Sequence, residues 1–411
     1  MDDLAPSHLA HEGPFAPLRE RAFLAVWLTG AFSTSANWML GLSVPVLVYQ
    51  LTESTAWLGA AAVASNLPSF LGSPLGGVWA DRYSKRLILL CALVAQTALV
   101  FTLYYVSNQP GLTVQVLLSL AAAIGFASSV NLSAYQALVA EIVPERQLRP
   151  AYKLNAIQFN LSRAVGPAVA GFVLAGWGAP TAFLVNAFAH APLAIALLLI
   201  RPRRIPRTGQ SHIFGEISAA ARVTWQSPTL RIALMTVCIT SGFGMSVQQL
   251  AKGLTERVYG VDDAGLGLLV ATIGLTAVLT SVGIAIIGDR FRGSQLVTIG
   301  LILYGIGLAF AVATTDFRTA LVGFAITGFG HVLVNVSVTT ALQVNVPGPF
   351  RGRVTSLQMM GIILSMAFGA QLGGFLGELI GLQMVVAIYG GILVTYAGFA
   401  HFRLDGLRAL D

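Results

Sequence analysis

Long runs without a charged residue constrain this chain more than any other feature of its sequence. A helix needs about 20 mostly apolar residues to cross a hydrocarbon core that is roughly 30 Å thick. Charged residues make up only 10% of the chain, whereas soluble domains carry about 25%. The sequence therefore predicts an all-α membrane protein. The runs that are long enough to span lie at 22–52, 54–80, 87–140, 164–200, 232–251, 264–288, 293–315, 319–350, 354–377 and 379–402.

Two of these runs are long enough for two helices, and each contains a turn signal. The third is interrupted by SNQPG at 107–111 and the fourth by GWGAP at 176–180, which hold the Gly and Pro residues that end helices. The count becomes twelve transmembrane helices, divided six and six by the longest polar interval. The predicted organisation is a cytoplasmic tail at 1–21, six-helix bundles at 22–200 and 229–402, a linker with a short amphipathic helix at 201–228, and a tail at 403–411.

Basic residues favour one side of the predicted bundles. If the N-terminus is cytoplasmic, every second loop is cytoplasmic, and those loops collect most of the Arg and Lys residues. The opposite loops hold little beyond Lys252, Arg257 and Arg318. This distribution follows the positive-inside rule and predicts that both termini lie in the cytoplasm. The net charge of +7 therefore reflects membrane topology. It does not indicate nucleic-acid binding, because the sequence shows no soluble surface that carries basic and aromatic residues together.

The two predicted halves share residues at spacings close to half the chain length. The recurring residues are Asp81-Arg82 with Asp289-Arg290, Gly166 with Gly369, and Gly171-Phe172 with Gly374-Phe375. A duplicated six-helix unit explains this recurrence, and parallel repeats of that kind build a large class of secondary transporters.

One charged motif in the first half resembles a known signature. It reads GGVWADRYSKR at 76–86, with Ser84 in place of the usual glycine before the basic pair. The motif resembles the loop between helices 2 and 3 of the major facilitator superfamily, and the resemblance covers the whole chain. Two longer segments resemble its bacterial exporter branch, which contains enterobactin exporters and macrolide or multidrug efflux proteins. These segments are TESTAWLGAAAVASNLPSFLGSPLGGVWADR and VAEIVPERQLRPAYKLNAIQFNLSRAVGPAVAG.

The resemblance implies a gating latch at the cytoplasmic ends of the helices. An aspartate that ends helix 2 is able to accept hydrogen bonds from a helix N-terminus, which by the resemblance is that of helix 11. The basic residues beside it would pair with carboxylates or lipid headgroups. A charged turn that serves topology alone is the alternative. The latch residues are Gly77, Asp81, Arg82, Lys85 and Arg86, with Asp289, Arg290 and Arg292 as their counterparts in the second half.

The segment GPAVAG in predicted helix 5 resembles a motif that is typical of superfamily exporters. It supplies Gly166, Pro167 and Gly171, with Ser162 in place of an upstream glycine. Small residues four apart allow two helix backbones to approach closely, and the proline would bend the helix. The motif implies export, and ordinary helix packing is the alternative.

Predicted helices 1, 4, 7 and 10 carry polar residues at spacings of three and four, which share one helix face. Such a face avoids lipid, and these helices line the central cavity of the superfamily, so the resemblance implies a substrate path. Interhelical packing is the alternative.

Arg163 is the only basic residue deep within a span, so it would bind an anionic group or brace the hairpin of helices 4 and 5. The predicted cavity residues are Asn37, Trp38, Asn131, Arg163, Gln248, His331, Asn335 and Met359.

The energy source must be an ion gradient, because the sequence holds no Gly-x-x-x-x-Gly-Lys loop for ATP. The resemblance to exporters implies proton antiport, with His331, Glu141, Glu378 or the carboxylates of the latch as the candidate proton carriers. The chain departs from its relatives at two positions: Asn37 replaces an acid of helix 1, and Ala121 replaces an arginine of helix 4. We predict no cofactor and no metal site.

The sequence as a whole predicts a single-chain exporter of amphipathic small molecules in the bacterial cytoplasmic membrane, functional as a monomer. A central site would be exposed to each side in turn. The alternatives are a proton-coupled importer, a membrane enzyme and a non-transporting scaffold. No metal-ligand cluster or nucleophile–base pair lies in the predicted spans, which argues against an enzyme. The polar stripes and two latches argue against a scaffold.

Overall fold

A computed structural model describes residues 13–203, 221–287, 291–346 and 350–403. This part of the chain is helical, and no β-strand occurs within it. Most of the predicted linker lies outside the described residues, as do Asp289 and Arg290.

The first half consists of six helices that follow one another up and down. The turn signals of the sequence mark real turns, because Gly111 after α3 and Gly178 both have positive φ angles, of 91° and 77°. Gly178 breaks the helical stretch Leu148–Ala189; we call the part before it α5, and the part after it, with Ala191–Leu199, α6. The other helices are α1 Arg21–Thr52, α2 Thr55–Arg82, α3 Lys85–Ser107 and α4 Val114–Ile142.

The second half repeats this arrangement. Its first helix, α7, consists of four consecutive segments, Pro228–Thr240, Ser241–Met245, Ser246–Gln249 and Ala251–Arg257, of which the second is a π-helical turn. The remaining helices are α8 Asp263–Ile287, α9 Gly293–Val312, α10 Phe317–Asn345, α11 Arg351–Ile380 and α12 Leu382–Arg403.

Length and composition make ten segments of the described chain long and apolar enough to cross a membrane. One of them, Pro150–Leu199, contains 50 residues and includes the break at Gly178, so it provides two crossings. The 28-residue helix α2 is the twelfth, and its two prolines and several polar residues lower its hydropathy. The predicted fold of twelve transmembrane helices is therefore confirmed.

The halves meet along two helix pairs, α2 with α11 and α5 with α8. We call the end of the molecule that carries the turn between α2 and α3 the basic end, and the other the opposite end. Close to the opposite end the backbones touch, since a methyl group on Gly171 of α5 would clash with Gly267 of α8. In the same way, a methyl group on Gly374 of α11 would clash with the carbonyl of Thr55 on α2.

The halves diverge toward the basic end. Along α2, Thr55 and Gly59, which contact α11, are buried, whereas Asn66 is half-buried and Ser73, which contacts Ser133 of α4, is exposed. A methyl group on Gly77, further along α2, would meet no atom within 4 Å. The buried apolar residues show the same separation. One large cluster contains residues of both halves, whereas a second cluster, around Phe23 and Leu138, contains only residues from the basic end of the first half. The halves are thus packed backbone against backbone at the opposite end and separate toward the basic end.

Candidate functional site

The two halves also touch midway along the helices. An Nη atom of Arg163 on α5 lies 3.3 Å from Nε2 of His331 on α10. A guanidinium has no acceptor atom, so a hydrogen bond here requires Nε2 of His331 to be unprotonated. The structure therefore brings together two residues that the sequence analysis selected separately.

Aromatic rings surround this pair on both sides. The Arg163 guanidinium lies 5.6 Å from the ring centroid of Trp38, within the distance of a cation–π contact. Trp38 in turn packs edge-on against Phe159, with centroids 5.6 Å apart. On the other side, Tyr304 of α9 packs edge-on against His331 at 5.5 Å.

A small crevice continues from His331 into the second half. It is lined by Gln248 and Gly244 of α7 and by Tyr304 and Thr327, among others, and the hydroxyl of Thr327 is buried without a partner among the described residues. Gly244 lies in the π-helical turn, and a methyl group there would clash with the Tyr304 ring. The predicted cavity residue Gln248 thus lines a crevice that adjoins the Arg163–His331 pair.

A second polar group occupies the interior of the first half. Gln96 of α3 donates to Oδ1 of Asn37, and Asn131 donates to Oε1 of Gln96 at 3.4 Å. Asn37 and Asn131 were predicted to line the cavity, whereas Gln96 was missed. A single glutamine in an otherwise apolar span was the available signal, because a polar group in hydrocarbon requires a partner.

The helix 5 motif fixes α5 against its neighbours. A methyl group on Gly166 would clash with the carbonyl of Ser35 on α1, and the Ser162 hydroxyl donates to the carbonyl of Ala31 at 3.2 Å. The helix continues through Pro167, and its break comes only at Gly178. These contacts hold the turn of α5 that carries Arg163 close to α1 and its Trp38.

Two further predicted cavity residues lie nearer the basic end. Asn335 is half-buried on α10, one turn beyond His331. Met359 of α11 is 52% exposed, on the part of that helix where the halves have diverged.

The predicted latch residues of the first half make contacts within that half. Lys85 forms an ion pair with Glu141 at 2.6 Å, and an Nη atom of Arg86 donates to the carbonyl of Leu198 at 2.8 Å. Arg82 is exposed at the end of α2. The side chain of Asp81 lies outside the described residues, and in the second half the backbone N–H of Arg292 donates to Gln295 at 3.4 Å.

A polar cluster that the sequence analysis did not predict joins the halves at the opposite end. Arg257 of α7 donates to the hydroxyl of Tyr49 at 2.8 Å and to Glu378 of α11 at 3.1 Å, and it also donates to the carbonyl of Glu53. Glu378 accepts from the Thr55 hydroxyl at 3.1 Å. We call these five residues the outer cluster. The sequence feature that could have indicated this cluster was Arg257, a basic residue in the loops of the side that carries almost none.

Lys252, one turn before Arg257, is also held in ion pairs. It lies 2.7 Å from Glu256 and 2.8 Å from Asp263, beyond the span that ends at Gln249. Burial lowers the pKa of Lys252, but the hydrogen bonds and charges of these two acids outweigh burial and raise it. Lys252 therefore stabilises the junction of α7 and α8. Within the described ranges, no three His, Cys, Asp or Glu side chains come together as a metal site would require.

Twelve helices in two similar halves, with a polar site where the halves meet, define a secondary transporter of the major facilitator superfamily. More narrowly, the chain belongs to the family described as transmembrane secretion effector, whose model matches residues 12–411.

Curated relatives and solved structures agree with this assignment. The chain is 25% identical to an uncharacterized MFS-type transporter, YfiS of Bacillus subtilis, over 91% of both chains. It is 25% identical to the enterobactin exporter EntS of Salmonella choleraesuis, over 87% of this chain and 86% of the exporter. Among solved structures, the nucleoside transporter NupG superposes with a TM-score of 0.74 at 14% identity, covering 95% and 99% of the two chains. An inward-facing bacterial homologue of the lysosomal transporter Spinster gives 0.71 at 14% identity, covering 96% and 97%.

Proposed function

We propose that this protein exports amphipathic small molecules from the bacterial cytoplasm in exchange for protons, by alternating access. The observation that carries the proposal is the contact between Arg163 and His331, which joins the two halves at 3.3 Å midway along the helices. A residue that loses this contact on protonation links proton binding to the relative movement of the halves.

The orientation follows from the distribution of charge. The basic end carries Arg82, Lys85 and Arg86, and the positive-inside rule assigns such loops to the cytoplasm. The end at which the halves separate then faces the cytoplasm, which is the state that loads a substrate for export.

Alternating access requires that contacts at the two ends form in turn. The outer cluster and the glycine contacts of α5 with α8 and of α2 with α11 close the outward side in this state. Opening outward would break the bonds of Arg257 to Tyr49 and of Glu378 to Thr55. The basic ends would then close, which brings the predicted latch residues of α2 toward the start of α11.

His331 is the candidate that best fits the proton carrier. Protonation would turn the acceptor Nε2 into a donor and place a second positive charge beside the Arg163 guanidinium, which repels it. The pair would separate and the halves would lose their central contact. Two of the other candidates, Glu141 and Glu378, are engaged in ion pairs with Lys85 and Arg257, which suits roles in holding the ends of helices.

The direction of transport is supported by two observations. The first is the enterobactin exporter at 25% identity over most of both chains. The second is the helix 5 motif, whose glycines pack α5 against α1 and α8. Solved neighbours at 14% identity share the fold alone.

Inverted membrane vesicles test substrate, direction and coupling together. Respiration acidifies their interior, and an exporter then carries substrate inward while protons leave. We expect members of a panel of drugs, macrolides and catecholate siderophores to accumulate and to collapse the pH gradient in vesicles that contain the protein. Accumulation in right-side-out vesicles together with proton entry would instead establish import, and accumulation that leaves the pH gradient unchanged would contradict antiport.

A further inference from the structure

The charge of Arg163 has no counter-ion among the residues that the structure describes. Its contacts are His331 at 3.3 Å and the face of Trp38 at 5.6 Å, and both partners are neutral in this arrangement. We propose, resting on the function proposed above, that the central site takes amphipaths that carry an anionic group such as a carboxylate. Arg163 binds the anion in the place that His331 Nε2 now occupies.

The distribution of acidic residues supports this assignment. Every Asp and Glu of the described spans lies at a helix end or in a loop. At the basic end Glu141 pairs with Lys85, and at the opposite end Glu378 pairs with Arg257. The middle of the bundle therefore carries a positive charge that no carboxylate of these spans neutralises. A buried cation is costly without a partner of opposite charge, and a ligand anion would supply that partner.

The geometry of the contact between Arg163 and His331 is consistent with an anion-binding site. A guanidinium presents five N–H donors in a planar fork that fits a carboxylate with two parallel bonds. His331 satisfies one of them, at 3.3 Å, whereas charge-assisted N–H···O bonds are about 2.7–2.9 Å long. A carboxylate would bind more donors at shorter distances, so it would displace His331.

The surroundings of Arg163 suit the apolar body of such a ligand. Phe159, which packs edge-on against Trp38, is 38% exposed one turn nearer the basic end of α5. Aromatic faces beside a guanidinium bind flat apolar groups. The site thus offers one anion-binding fork and an adjoining aromatic wall, and it disfavours cations by like-charge repulsion.

Binding of the anion also has a consequence for the halves. Arg163 belongs to the first half and His331 to the second, so a ligand that takes the guanidinium breaks their bond. Substrate binding would release the same contact that protonation of His331 releases.

Calorimetric titration of the protein in lipid nanodiscs tests this inference with two probes of the same shape, the anion 1-naphthylacetate and its neutral amide. We expect the wild-type chain to bind the acid about tenfold more tightly than the amide, because a hydrogen bond to a charged group contributes about 1.4 kcal/mol more than one to a neutral group, which is tenfold in affinity. In Arg163→Gln the affinity for the acid falls further than that for the amide, and the two affinities become equal. Arg231→Gln, which removes a cation over Trp225 at the start of α7, leaves the preference intact.

A labelling experiment on the unaltered chain keeps the inference testable if Arg163→Gln fails to fold. Phenylglyoxal modifies arginine, and mass spectrometry reports the modified fraction of Arg163. We expect protection by the acid and none by the amide. Equal binding of the two probes, a preference that survives in Arg163→Gln, no saturable binding of the acid, or equal protection would each overturn the inference.

The binding assay requires neither a proton gradient nor a direction of transport. Each of the two proposals can therefore be contradicted without contradicting the other. Loss of proton exchange in vesicles contradicts the antiport and leaves the anion preference standing. Equal binding of acid and amide by a chain that still exports its substrates overturns the anion site alone.

Discussion

The Arg257 side chain of α7 donates to the hydroxyl of Tyr49 on α1 at 2.8 Å, and so binds the second half of the molecule to the first at the opposite end. The same guanidinium pairs with Glu378 of α11. One cation thus organises three helices at the end where the halves are packed together.

Replacing Arg257 should favour the outward-open state. Arg257→Gln removes the ion pair with Glu378 and weakens the contact with Tyr49. Half-exposed ion pairs contribute about 0.2–1 kcal/mol, so we expect the ratio of states to shift by a factor of about 1.4 to 5. Double electron–electron resonance between spin labels at Gln50 and Met384, both exposed near this end, measures the shift as a longer distance.

Arg318→Gln is the matched control for that measurement, because Arg318 is an exposed cation at the same end of α10. Its distance distribution should equal that of the unaltered chain. An identical distribution in Arg257→Gln would show that the outer cluster does not hold the halves together.

The contact between Gly171 and Gly267 gives a second prediction about closure. A methyl group in Gly171→Ala meets the α8 backbone, so the opposite end cannot close as it does here. We expect transport to fall at least about fivefold, since overpacking costs about 1–3 kcal/mol, with membrane insertion unchanged. Gly176→Ala on the same helix meets no atom within 4 Å and should transport normally; equal transport by both variants would contradict the role of this contact.

The amide chain of Asn37, Gln96 and Asn131 should stabilise the first half. Gln96→Leu leaves the two asparagine side chains without this partner, at a cost of about 1–3 kcal/mol in the free energy of unfolding. A thermal unfolding scan of the purified protein would show a lower midpoint. Gln115→Leu, an exposed position near the start of α4, should leave the midpoint unchanged, and an unchanged midpoint in Gln96→Leu would show that the amide chain adds no stability.

The ion pair between Lys85 and Glu141 should behave as a local contact of the first half. Its side chains are 20% and 12% exposed, so loss of either partner leaves a half-buried charge. We expect Lys85→Glu and Glu141→Lys each to reduce transport, and the double exchange to recover most of it. A double exchange no better than either single variant would argue against the pair.

Much of the fold follows from the sequence, because spans and turns are local properties. The break at Gly178 illustrates this, because its φ of 77° lies in the backbone region that glycine favours. The GWGAP segment predicts a turn at this position. Arg163 and His331 were recognised singly, since an ionisable or polar residue within an apolar run is visible in sequence.

Their contact was not predictable from sequence, because it depends on how two halves pack and the residues lie far apart in the chain. The same reason explains Arg257, whose partners come from α1, the turn after it and α11. Tyr304 and Phe159 were missed for a simpler reason: an aromatic residue in an apolar span is usually packing, and only the neighbours at the site distinguish it.

The measurement that tests the account most directly follows substrate and protons together in inverted vesicles, for the unaltered chain and for His331→Gln. We expect the unaltered chain to exchange protons for substrate, with a rate that depends on pH. His331→Gln should move substrate only down its concentration gradient, with no release of protons and a flat pH profile. Proton exchange that persists in His331→Gln with the pH profile of the unaltered chain would contradict the role of the Arg163–His331 contact in coupling.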